Sequence, residues 1–145
     1  MSWLRRGIGI LMLVGAIGYT ALDAYVLQSV KAAAVTVDFL RGVRLAPSAD
    51  AALADIAAQL KGGPDLVVRL EGHTALAGDA GANLALSEQR AAAVRDRLIA
   101  LGIAENRITA VGLGNTEPLD RLDGEDQRSY DSRLGRVEAR FEQGG

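Results

Sequence analysis

The sequence predicts an α+β protein: an N-terminal transmembrane helix, then a β-α-β-α-β-(α)-β domain built on a four-stranded mixed sheet. Three observations carry this. An uninterrupted apolar run fills Gly7–Leu22. Beyond residue 34 the apolar period switches repeatedly between two and about three and a half residues. Glycine and proline mark most of the switches. The 145 residues suffice for one domain with a modest core.

The first element is the run GIGILMLVGAIGYTAL, preceded by Arg5 and Arg6. Sixteen helical residues span roughly 24 Å, and AYVLQSV after Asp23 extends the apolar character to about Leu27. That length crosses a bilayer core of about 30 Å. The two arginines place the N-terminus in the cytoplasm. Residues 1–30 are therefore expected to be a membrane anchor, and 31–145 a periplasmic domain. A signal peptide has the same layout. However, cleavage after Ala21 puts Tyr19 at −3, and cleavage after Ala24 puts Leu22 there; neither is small. Asp23 reads as an interfacial residue. The sharper reading, a proton relay, needs a partner charge and a place nearer the cytoplasmic half. Ala16, Thr20 and Ala24 form a small-residue stripe that permits close helix packing.

VTVDFL alternates, with Val35, Val37 and Phe39 on one face of a first strand. Pro47-Ser48 then opens a helix, with Ser48 as N-cap and Leu53, Ile56, Ala57 and Leu60 as its apolar stripe. Gly62-Gly63-Pro64 stops it. LVVRLEGH is the second strand, with Leu66, Val68 and Leu70 on one face. A long helix follows, its stripe formed by Leu84, Ser87, Ala91, Val94, Leu98 and Leu101. Gly102 and Ile103 fit a Schellman ending. RITAVGLG is a third strand. LDRLDGEDQRSYDSRLG is a long polar, acidic loop with one helical turn. RVEARF closes the sheet, with Val137, Ala139 and Phe141 inward and Arg136, Glu138 and Arg140 outward. Two helices cover one face of such a sheet and leave the other more polar.

Several function classes are disfavoured. A net charge of −2 gives no reason to expect nucleic acid as a partner. The absence of cysteine removes disulfides, thiolate chemistry, cysteine zinc sites and a lipobox-type lipid anchor. His73 is the only histidine, so it cannot form a histidine cluster, and no metal or cofactor is expected. Ser87 lies on a buried stripe with no base partner, so no catalytic residue is expected. Asp120, Asp123, Glu125 and Asp126 lack calcium-loop spacing and read as a solvated loop.

Residues 72–91, GHTALAGDAGANLALSEQRA, resemble the peptidoglycan-binding OmpA-like C-terminal domain family. The family pattern is G-H-T-D-x-x-G-x4-N-x-x-L-S-x-x-R-A. Gly72, His73, Thr74, Gly78, Asn83, Leu86, Ser87, Arg90 and Ala91 fall in register. Arg107, Gly112, Gly114 and Pro118 continue the downstream spacing, and Arg136-Val137-Glu138 resembles the closing N-R-R-V-E. The resemblance implies a grip on the diaminopimelate unit of the wall peptide, with a carboxylate for its ammonium and an arginine for its carboxylate. It implies Arg90, Thr74, Asn83 and Leu86 as ligand-binding residues and peptidoglycan as partner, beside membrane lipid. Two departures stand out. Ala75 replaces the ligand-binding Asp, and Leu134-Gly135 replaces Asn-Arg. Asp79, in the same loop, is the candidate substitute acid, with Asp38 a second. The implied function is weak peptidoglycan binding by an anchored periplasmic protein. The alternative is a degenerate OmpA-like domain serving as scaffold or accessory subunit of an inner-membrane complex. Arg90 itself reads either as ligand contact or as a surface arginine paired with an acid. The seven residues Gln28–Ala34 reach at most ~25 Å, which holds the domain close to the membrane.

Overall fold

A computed structural model describes residues 34–145. The anchor, Asp23 and the small-residue stripe lie outside the described residues. Among the described residues, no helix is long and apolar enough to cross a membrane.

The strands are β1 (Val35–Arg41), β2 (Arg44–Leu45), β3 (Leu66–Gly72), β4 (Ile108–Gly112) and β5 (Arg136–Gln143). The helices are α1 (Ala49–Gly62), α2 (Ala80–Ala100) and α3 (Gln127–Leu134), with a 3₁₀ turn at Glu105–Arg107. The expected α+β alternation is present, but the sheet has five strands rather than four, in the order β2-β1-β5-β3-β4. The added strand, β2, folds back on β1 through Gly42, whose φ of 55° suits glycine. Where one helical turn was expected, the eight-residue α3 forms. β3 and β4 run parallel across α2, whereas β5 is antiparallel to both β1 and β3.

The core lies between the sheet and α1 and α2. Val37, Val68, Leu70, Val137 and Ala139 meet Leu53, Ile56, Leu60, Val94 and Leu98 there, all essentially excluded from solvent. Each full-sized side chain so buried contributes about 1.5–3 kcal/mol. The inward set on β5 is as expected. The outward set is not, because β5 is a central strand: Arg136 and Glu138 are buried and only Arg140 reaches solvent. On α2 the stripe also needs correction. Leu84 and Leu101 at its ends are exposed, while Arg90 joins the buried face.

The Schellman ending holds: Ile103 N–H donates to Leu98 O at 3.1 Å and Gly102 N–H to Ile99 O at 2.9 Å, with Gly102 at φ 92°. Ser48 is not a working cap. It has helical dihedrals, and its hydroxyl donates to Asp38 Oδ2 at 3.3 Å rather than accepting from its own helix. Arg107, in the 3₁₀ turn, donates to the carbonyls of Leu60, Gly63 and Leu66, tying the end of α1 to the start of β3.

Candidate functional site

The candidate site is the loop from β3 into α2, and its position depends on two glycines around Ser87. A β-carbon on Gly72 would overlap the Ser87 carbonyl, and one on Gly112 would lie 2.5 Å from Ser87 Oγ. Their absence lets α2 press onto β3 and β4. Ser87 Oγ then donates to Leu84 O at 2.7 Å and accepts from Gly114 N–H at 2.9 Å. Both of these hydrogen bonds of its hydroxyl serve the packing of α2 on the sheet.

That junction fixes two loops against each other. Leu113 N–H donates to Gly72 O at 2.8 Å and Thr74 N–H to Gly114 O at 2.9 Å. Asn115 Nδ2 reaches Leu76 O at 3.1 Å. Asn83 Nδ2 donates to Ala77 O at 3.1 Å beside Gly78, whose φ is 101°. Asp79 is the N-cap of α2, accepting from Ala82 N–H at 2.8 Å. So the carboxylate considered as a substitute acid already has a local task. Asp38 holds the Ser48 hydroxyl.

Arg90 lies where this loop meets the β1–β2 turn. Its Nε donates to Gly42 O at 2.8 Å and its Nη1 to His73 O at 2.9 Å. The guanidinium carbon sits 5.2 Å from the centre of the Phe39 ring. The residue is 7% exposed. Among the described residues no carboxylate pairs with it. The expectation of a surface arginine paired with an acid is therefore not what the structure shows. Burial lowers its pKa. Nη2 makes no hydrogen bond within the described residues and is not among the fully enclosed unpaired atoms. It is a donor left for solvent or a ligand. Gly135 borders the guanidinium: a β-carbon there would stand 3.0 Å from Nη1. The second departure from the family pattern thus falls beside Arg90.

Of the other expected ligand residues, Thr74 is buried with its Oγ1 unpartnered, Leu86 is half-buried, and Asn83 and Asp79 brace the loop. Arg90 and Thr74 are brought together through the His73 carbonyl. Ala75, the next residue, is half-buried.

His73 is 1% exposed, and both ring nitrogens lack hydrogen-bond partners. Burial, then the charge of Arg136, lowers its pKa, so the ring is neutral at pH 7. Its neighbours on the sheet's second face are charged. Arg69 and Arg140 each hold one oxygen of Glu71, at 2.8 and 2.6 Å, and Arg136 pairs with Glu138 at 2.6 Å. Burial raises the Glu71 pKa, but the two arginine hydrogen bonds outweigh it and hold the carboxyl below its usual range. The acidic loop is also fastened. Arg133 clasps Glu125 at 2.6 and 2.7 Å, and Asp126 caps α3 through Ser129 N–H at 3.0 Å. Asp120, Asp123 and Asp126 are exposed, and Glu125 is half-buried.

The sequence model of the OmpA family matches residues 41–132. The peptidoglycan-binding protein ArfA of Mycobacterium tuberculosis is 41% identical over 78 residues, which are 54% of this chain and 24% of ArfA. The chain therefore matches about a quarter of the length of that relative. The crystal structure of the peptidoglycan-associated lipoprotein from Burkholderia pseudomallei superposes with a TM-score of 0.65 at 30% identity, covering 74% of this chain and 89% of that one. A MotB-like protein from Desulfovibrio vulgaris superposes with a TM-score of 0.60 at 27% identity, covering 92% and 95%. Sequence match and fold agree, and the chain belongs to the OmpA family.

Proposed function

We propose that this chain is a single-pass inner-membrane protein of the bacterial envelope whose periplasmic OmpA-like domain binds peptidoglycan weakly, through the diaminopimelate peptide, without catalysis. Residues 1–30 supply the anchor and 31–145 the domain. The apolar run behind Arg5 and Arg6 supports the anchor. Two of the relatives are named for peptidoglycan, as a binding protein and as an associated lipoprotein. The observation that carries the reading is Arg90. Two carbonyls and an aromatic face hold its guanidinium in place, and Nη2 stays available. A donor positioned before the ligand arrives loses little entropy on binding. Thr74 follows the His73 carbonyl that Arg90 holds, and Leu86 lies one helical turn before Arg90, while Asn83 and Asp79 keep the loop in shape.

Ala75 is why the binding is weak. A zwitterion offered to Arg90 alone finds a partner for its carboxylate and none for its ammonium. The missing charge-assisted bond is worth about 1.5–3 kcal/mol, roughly one to two decades of affinity. The test is co-sedimentation with purified sacculi, wild type beside Ala75→Asp. Restored pairing gives about ten-fold tighter binding. No binding by either protein sinks the wall-binding reading. The scaffold alternative, with an inner-membrane protein as partner, would then stand, supported by the two departures at Ala75 and Gly135.

A further inference from the structure

We propose that Glu71, His73 and Glu117 form a binding site for a divalent transition-metal ion of the Zn²⁺ type. Glu71 and His73 are two residues apart, at the end of β3 and just beyond it, so their side chains leave the same face. Glu117 comes from the exposed loop after β4. One ligand atom from each lies within 4.8 Å of the other two. A tetrahedral zinc shell has a radius of about 2.1 Å, which puts its donors about 3.4 Å apart. Separations of up to 4.8 Å must shorten by at most about 1.4 Å to reach that spacing. Of the three side chains, the exposed Glu117 is the freest to move.

The independent observation is His73. Its ring is buried, and neither nitrogen has a hydrogen-bond partner. A buried polar group without a partner costs about 1–3 kcal/mol, and a metal bond would remove that cost at one nitrogen. Glu71 is held by Arg69 and Arg140, one hydrogen bond per oxygen, which leaves each oxygen a further lone pair. Glu117 has no ion pair among the described residues. The nearby Arg136 charge is balanced by Glu138 at 2.6 Å. One imidazole nitrogen and two carboxylates suit a borderline ion such as Zn²⁺, and the imidazole argues against calcium or magnesium. Three protein ligands leave a fourth position open to water.

The chain's single histidine makes the test unambiguous. The full chain, free of affinity tag, is titrated with zinc chloride while the ¹⁵N signals of the imidazole are followed. A His73 shift that saturates at one equivalent is expected. Glu117→Gln, at an exposed position, should bind Zn²⁺ at least ten-fold more weakly by calorimetry, and His73→Gln should abolish binding. No saturable ring shift overturns the site. So does a loss of less than ten-fold in Glu117→Gln, because that variant folds whether or not His73→Gln does.

Discussion

Glu71 and Glu138 stand directly opposite each other on β3 and β5, two carboxylates where like charges should repel. Arg140 resolves the conflict. Its Nε donates to Glu71 Oε2 at 2.6 Å and its Nη2 to Glu138 Oε2 at 2.7 Å. Arg69 and Arg136 hold the remaining oxygens. Removing Arg140 therefore does more than break an ion pair, because it leaves the facing acids unbridged. Arg140→Met should destabilise the domain. Since the side chain is about half exposed, solvent screening limits the loss to about 1 kcal/mol. Urea unfolding of Arg140→Met, Glu71→Gln and the double variant checks this. The cycle should return a coupling between the two residues, and strictly additive losses would refute the bridge.

Ser87 is a second linchpin, now between secondary elements. Ser87→Ala removes the acceptor of the buried Gly114 N–H bond while leaving the helix intact. An orphaned donor of that kind costs about 1–3 kcal/mol. Equilibrium unfolding measures the loss, and amide exchange at Gly114 should quicken with it. A Gly114 amide as protected as in wild type would mean that water replaces the hydroxyl.

Acid stability should depend on Glu125. The double hydrogen bond from Arg133 and the bond from Leu122 N–H pull its pKa from 4.5 to about 2. A carboxylate depressed on folding stabilises the native state above its unfolded pKa. That contribution falls away as pH drops from about 4.5 through about 2. Between those limits, wild type should lose stability more steeply than Glu125→Gln, which has no proton to take up at that position. Melting temperatures from about pH 5 to about pH 2 give the comparison, and parallel curves would count against the clasp.

The regular elements were legible because each repeats its own period. Val35, Val37 and Phe39 alternate, and Ala91, Val94 and Leu98 recur at helical steps. Three things were not. β2 is two residues long, too short for any period to register, although Gly42 marks its turn. The burial of Arg136 and Glu138 follows from β5 lying between β1 and β3, and strand order is not written into alternation within a strand. Arg90 could be read as exposed because charge suggests surface. Its position, three after Ser87 and beside Ala91, already put it at the edge of the buried stripe. At the site, Thr74 and Arg90 were visible by resemblance. The approach of Glu117 to His73 joins a loop to a strand end distant in sequence, and no local pattern reports such a contact.

The burial of Arg90 changes what its substitution must show. At an exposed position Arg90→Lys would leave stability alone. Here a single ammonium cannot serve both the Gly42 and His73 carbonyls in the geometry of the fork, so a loss of about 1–3 kcal/mol is expected. Weaker wall binding by Arg90→Lys alone would then be ambiguous between a lost ligand contact and a disturbed loop. Ala75→Asp separates the two. If Arg90 holds the ligand's carboxylate, the new aspartate gains its roughly ten-fold only while the guanidinium fixes the other end of the zwitterion. In the double variant, Ala75→Asp with Arg90→Lys, that gain should shrink to less than about two-fold. Sacculus binding is measured on wild type, both single variants and the double variant, at a temperature well below the lowest unfolding midpoint, so that every sample is folded. A gain from Ala75→Asp that is equally large with and without Arg90→Lys would remove Arg90 from the ligand. The guanidinium would then be only the bolt that joins the β1–β2 turn to the His73 loop.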